Sequence, residues 1–170
     1  MTTLLLVRHG ETDWNLERRV QGQTDRPLNP TGLEQARALA DELAAEHLVA
    51  VYASDLARAR GTAEITARRH SLEVKVDADL REKHFGSWEG LAEAEIEALF
   101  PGAVRGRWGD GETTEALAAR AVATIERIRT AHPSGTVLVV SHGGTMRAIL
   151  DHLAVEHEPI GNCAVVRVDY

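Results

Sequence analysis

Cysteine is almost absent: one residue in 170, Cys163, leaves no internal disulfide and no zinc site built on paired thiolates. Positive charge is scarce as well. With 19 Lys+Arg against 26 Asp+Glu the formal charge is -7, which argues against nucleic-acid binding and requires any anionic ligand to be held by locally clustered cations. Long hydrophobic runs are missing. The apolar stretch at residues 4–7 is far shorter than a signal-peptide core or a membrane span, so no membrane partner is expected and a cytoplasmic protein is. No solenoid repeat, Walker motif, G-x-G-x-x-G fingerprint or H-E-x-x-H spacing occurs.

What is present is an ordinary globular composition, 44% hydrophobic and 26% charged. A chain of this length reads as one domain over residues 1–170 and buries about 70% of its unfolded surface, without need of metal or disulfide staples. Two segments echo each other: Leu4-Leu5-Leu6-Val7-Arg8-His9-Gly10 and Val137-Leu138-Val139-Val140-Ser141-His142-Gly143. Continuous apolar runs of this kind are strands covered on both faces, as in a parallel sheet. Helical spacing of Leu33, Ala36, Leu39, Ala40 and Leu43 follows a Thr31/Glu34 capping box. Further helices are expected over 56–70 (capped by Ser54 or Asp55), 114–132 with Leu117, Ala121, Ile125 and Ile128 on one face, and 145–153. Strands are expected over 49–53, 72–76 and 164–168, the last next to a buried Cys163. This alternation predicts an α/β layered sheet. Residues 85–112, rich in glycine, read as an irregular lid-like excursion with one short helix over 92–100.

Ligands of open α/β sheets sit beyond the carboxyl ends of strands, where both His-Gly pairs fall. Glycine after each histidine would let the backbone turn and leave room for a ligand. Gly143 and Gly144 lead into a helix whose first N–H groups attract an anion. Arg8 offers a planar fork suited to phosphate oxygens, and a neutral imidazole can carry a covalent phosphoryl group. The competing reading is that two histidines merely end two strands and bond nearby carbonyls. His47, His132 and His157 are expected at the surface, and His84 either lines the pocket or faces water.

At this point the motifs resemble a known family. Leu-Val-Arg8-His9-Gly10-Glu11-Thr12-Asp-Trp14-Asn15, Gln21-Gly22, the run from Leu28 to Ala36, and Ser54-Asp-Leu56-Ala-Arg58-Ala59 follow the order of the histidine phosphatase superfamily, which includes the cofactor-dependent phosphoglycerate mutases. So do Leu80-Arg-Glu82-Lys-His-Phe85-Gly86-Ser-Trp88-Glu89-Gly90, Val140-Ser141-His142-Gly143-Gly144-Thr145 and Ile160-Gly161-Asn162-Cys163. The resemblance implies a three-layer α/β/α fold with a mostly parallel central sheet. It also implies that His9 becomes phosphorylated, that Arg8 and Arg58 clamp the phosphoryl group, and that His142 hydrogen-bonds its oxygens. Glu82 would protonate the leaving oxygen and then activate water. Asn15, Gln21, Gly22 and Gly143 would lie against the substrate, a small phosphorylated molecule, with no metal and no cofactor. An acid at Glu82 would be desolvated by Phe85 and Trp88 and opposed by Arg81 and Lys83 unless those point away.

Three activities compete: hydrolysis of a phosphomonoester, transfer to a second hydroxyl as in a mutase, and non-catalytic binding of phosphorylated partners. Retention of both histidines, both arginines and Glu82 disfavours the last. A short excursion, Gly143-Gly144-Thr145 and Gly111-Glu112-Thr113 resemble phosphatase members rather than mutases. Arg105, Arg107 and Trp108 could contact a second group on the substrate. An exposed strand edge could support a homodimer by analogy with relatives.

Overall fold

The computed structural model describes residues 1–102 and 110–170; the lid residues Arg105, Arg107 and Trp108 lie outside them. Among the described residues, β1 (Thr2–Arg8), β2 (Leu48–Ala53), β3 (Val74–Val76), β4 (Gly135–Ser141) and β5 (Val165–Asp169) form one sheet in the order β3-β2-β4-β1-β5. Pairings are parallel except for β5, which runs antiparallel to β1 at the edge. Alternation along the strands splits the core in two. Leu4, Leu6, Val137 and Val139 meet Ala121, Ile125 and Ile128 of α5 (Thr114–Ala131) and Met146, Ile149 and Leu150 of α6 (Gly143–His152). On the other face Leu5, Val7, Leu138 and Val140 meet Leu39 and Leu43 at the end of α2 (Pro30–Glu42), and Ala59, Ala63 and Ala67 of α3 (Ala57–Arg69). The three-layer α/β/α arrangement expected from the family is therefore present. Leu33, counted with the α2 stripe, is 37% exposed and stands outside it.

Several local expectations are corrected. α2 is capped by Asn29, not Thr31: the Asn29 side chain accepts from the Gly32 N–H at 2.8 Å, and Pro30 takes the first helical position, where its missing N–H costs nothing. Neither Ser54 nor Asp55 is the N-cap of α3. Leu56 holds that position, while Asp25 reaches across to the Ala57 N–H at 2.7 Å. Asp55 is instead committed to Arg81. Cys163 lies in the turn before β5, half-buried, with φ 56; burial pushes its thiol up to about 11, so it stays protonated. His132 is half-buried against Tyr52 rather than free at the surface. The excursion contains a 3-10 turn at Gly86–Trp88 and α4 (Glu93–Leu99). A short helix α1 (Asp13–Leu16), not foreseen, follows the first His-Gly pair. No helix among the described residues is long and apolar enough to cross a membrane.

Candidate active site

β1 and β4 lie side by side with Arg8 opposite Ser141, so the next residue of each strand, His9 and His142, leaves the sheet at the same edge. The two rings stand 5.1 Å apart, tilted by 58°, and both residues are buried. His9 Nδ1 lies 2.7 Å from the carbonyl oxygen of Gly10. Because a carbonyl can only accept, Nδ1 carries the proton of the neutral ring and Nε2 keeps its lone pair. Burial pushes the His9 imidazole well below its ordinary value of 6.5, and Arg58 and Arg8 add to this against the opposing Gly10 carbonyl. The ring is neutral at neutral pH, the form that can attack phosphorus.

Around it stand cations with unspent donors. Arg8 gives Nη1 to the Ile160 carbonyl at 2.7 Å; Arg58, 1% exposed, gives Nη1 to Thr24 at 3.0 Å and Nη2 to Gly22 at 2.6 Å. The Nε atoms of both arginines and both ring nitrogens of His142 are buried without a protein partner. A buried polar group left unmade costs about 1–3 kcal/mol, and the two arginine Nε–H groups with the one N–H of a neutral His142 are donors that an acceptor-rich ligand could satisfy. Burial lowers Arg58 to about 10, held up by the carboxylates of Glu82, Asp25 and Glu89. His142 is pushed well below 6.5 by burial first and then by Arg58 and His9.

Glu82 approaches from an irregular segment after the 3-10 turn at Ala78–Leu80. Its Oε2 accepts from the Gly144 N–H at 2.9 Å, and its Oε1 from the N–H groups of Thr145 at 3.2 Å and Lys83 at 2.9 Å. The amino end of α6, expected to receive the substrate's anion, is thus capped by Glu82. His142 is the N-cap residue of α6 but makes no side-chain cap bond, since a carboxyl from elsewhere in the chain has taken that task and left its ring unspent. A Cβ on Gly144 would overlap Glu82 Oε1. The flanking cations point away: Arg81 binds Asp55 through two bonds of 2.7 and 2.6 Å, and Lys83 Nζ lies 3.2 Å from Thr114 Oγ1.

The other candidates divide. Gly22 has φ +52, and a Cβ there would collide with Glu89 Oε1; its visible work is to turn its carbonyl onto Arg58. Asn15 and Gln21 are joined through Thr12, whose N–H donates to Asn15 Oδ1 at 3.1 Å and whose hydroxyl donates to Gln21 Oε1 at 2.8 Å. Gly143 packs on the Arg8 guanidinium, and a Cβ on Gly10 would lie 2.6 Å from the Gly32 carbonyl oxygen. His84 remains half exposed, 3.8 Å from Glu89.

Three supporting groups had no role assigned from sequence. Asn162 gives Nδ2 to the His9 carbonyl at 2.9 Å. Glu89 accepts from the N–H groups of Gln23 at 2.9 Å and Phe85 at 3.0 Å, tying two loops together. Arg120 grips the Glu82 segment from α5. Asn162 and Glu89 fall inside family blocks, which is the signal that could have found them; Arg120 shows only as a charge beside an apolar stripe.

The model of the histidine phosphatase superfamily (branch 1) matches residues 4–170. A metal-independent phosphoserine phosphatase of Arabidopsis thaliana is 42% identical over 160 residues, covering 88% of this chain and 67% of that protein. A probable phosphoglycerate mutase GpmB of Photorhabdus laumondii is 37% identical over 185 residues, covering 100% and 86%. Among solved structures, a mycobacterial glucosyl-3-phosphoglycerate phosphatase complexed with VO3 superposes with a TM-score of 0.90 at 32% identity, covering 98% of this chain and 90% of that one. The chain belongs to branch 1 of the histidine phosphatase superfamily.

Proposed function

We propose that this protein is a phosphatase that hydrolyses a small phosphomonoester through a phosphohistidine on His9. The observation carrying this reading is the Nδ1–Gly10 hydrogen bond, which leaves a neutral, buried His9 with its Nε2 lone pair among unspent cationic donors. In the first step Nε2 bonds to phosphorus as the ester P–O bond breaks, and the departing oxygen takes the proton of Glu82. In the second, Glu82 takes a proton from water, the water oxygen bonds to phosphorus, and the P–N bond breaks to give inorganic phosphate. Arg8, Arg58 and a donating His142 stabilise the equatorial oxygens, where charge gathers in the transition state. Asn15, Gln21 and Gly143 belong to the substrate-facing shell in this reading, and Gly22 acts on it through Arg58.

Several observations support this assignment. The nearness of Glu82 to Arg8 and Arg58, both lowered first by burial and raised next by its carboxylate, supports an acid beside the clamp. Phosphatases stand among the relatives, as do mutases. In this reading residues 1–170 form one domain with the excursion over 85–112 as its lid, in a cytoplasmic protein acting on phosphorylated metabolites. A homodimer would form along a sheet edge, β3 or β5.

The test is phosphate release in metal-free buffer across a phosphomonoester panel, for the parent, His9→Ala and Glu82→Ala. Turnover should vanish in His9→Ala. Glu82→Ala should spare good leaving groups and impair poor ones. If a bisphosphoglycerate gives mainly isomerised monophosphate and little free phosphate, the mutase reading replaces hydrolysis.

A further inference from the structure

We propose that Arg120, braced by Glu112, is the positioning residue that sets where Glu82 delivers its proton; the inference rests on the acid role of Glu82 proposed above. Glu82 sits in a stretch without regular secondary structure, whose carbonyls have no ladder to join. Arg120 supplies the missing partners. Its Nη1 donates to the carbonyls of Asp79 and Arg81, both at 2.7 Å, and its Nη2 to the carbonyl of Glu82 at 2.9 Å.

The two remaining donor contacts go to Glu112: Nε to Oε1 at 2.6 Å and Nη2 to Oε2 at 2.8 Å. All five guanidinium N–H groups are thereby used in one planar fork, which no lysine could reproduce. Glu112 is itself fixed, its N–H donating to the His84 carbonyl at 2.8 Å and its Oε2 accepting from the His84 N–H at 3.2 Å. The pair is largely buried, 17% and 15% exposed. Side chains from β4 and α6 complete the grip, with Ser141 Oγ on the Leu80 carbonyl and Thr145 Oγ1 on that of Arg81, both at 2.8 Å. Four successive carbonyls, those of residues 79–82, are thus held by side chains from rigid elements.

Arg120 touches no reacting atom in this scheme, and Arg120→Lys keeps the positive charge that is felt at His142, so that substitution should act through the placement of Glu82. The experiment compares kcat/KM, which reports the steps up to formation of phospho-His9, for p-nitrophenyl phosphate and an alkyl phosphate. Arg120→Lys is expected to lower the alkyl value about 30-fold and the p-nitrophenyl value no more than about threefold, following the cost of misplacing a catalytic group. Adding Arg120→Lys to Glu82→Ala should cause no further loss. Glu112→Gln, which keeps Arg120 and its carbonyl contacts, should show the same selectivity more weakly and serves if Arg120→Lys does not fold. Equal losses on both substrates, or losses that multiply with Glu82→Ala, would overturn the positioning role. If Glu82→Ala itself loses equally on both substrates, the acid reading falls, and this proposal falls with it.

Discussion

The two His-Gly strand ends read almost alike in sequence and do different things in the fold. At the end of β1, His9 is tied through Nδ1 to the next carbonyl, and the chain runs on into the short α1. At the end of β4, His142 enters α6 directly, and both its nitrogens stay without a protein partner. The first ring is fixed in one tautomer with a lone pair to give. The second can present a proton from either nitrogen. A tautomer is decided by one acceptor, so a single carbonyl separates a nucleophile from a donor.

The strongest way to break that comparison is to remove each ring. His9→Ala should reduce phosphate release to background while leaving thermal unfolding cooperative, because the remaining neutral ring, His142, is not held by a protein partner in one tautomer with a fixed lone pair. His142→Ala should keep a trappable phosphoenzyme and lower kcat by about 10²–10³-fold, the usual cost of deleting one transition-state donor. Rapid-quench measurement of the phosphoenzyme separates the two outcomes. If the His142 variant fails to phosphorylate while the His9 variant still does, the roles are reversed.

Much of this difference was out of reach of the sequence. Continuous apolar runs and glycine-flanked histidines place both rings at one sheet edge, because parallel strands project their carboxyl ends together. The family blocks bring in Arg58 and Glu82 from far along the chain. Which helix end meets which carboxyl is a tertiary matter: α6 reads as an anion site, and only packing shows that Glu82 fills it. The α3 cap failed for the same reason, whereas the Asn29 cap of α2 lies within a local window. Asp25 serves α3 from 32 residues upstream, a pairing no local window contains. Arg120 is illegible because its acceptors are backbone carbonyls, which every sequence has.

Gly144 sharpens the comparison on the acid side. Ala at this position is a better helix former by about 1 kcal/mol, yet its Cβ would meet Glu82 Oε1. Gly144→Ala should therefore leave the melting temperature unchanged or higher while lowering kcat/KM for alkyl phosphates about tenfold, as a displaced acid would. Equal activity on alkyl and p-nitrophenyl phosphates relative to the parent would show that the carboxyl can move without cost.

The smallest effect is one the two rings share. Both are buried neutral, with values well below 6.5, whereas in the unfolded chain each takes up a proton near 6.5. Between the depressed native values and 6.5 the unfolded state binds more protons, so their contribution is complete above pH 6.5 and is lost as pH falls below it. Each ring can add up to about 1.4 kcal/mol per pH unit to that slope. Asp55 and Glu112, both held below their ordinary values of 3.8 and 4.5, titrate under more acid conditions and leave this window undisturbed. His132, lowered by burial and by Lys75, remains in every variant and sets the background. Urea unfolding at pH 6.5, 6.0 and 5.5 in phosphate-free buffer should show the parent losing stability fastest, each single alanine variant less, and His9→Ala/His142→Ala least. A double variant as steep as the parent would mean that neither ring is neutral in the folded protein, and the neutral nucleophile would have to be abandoned.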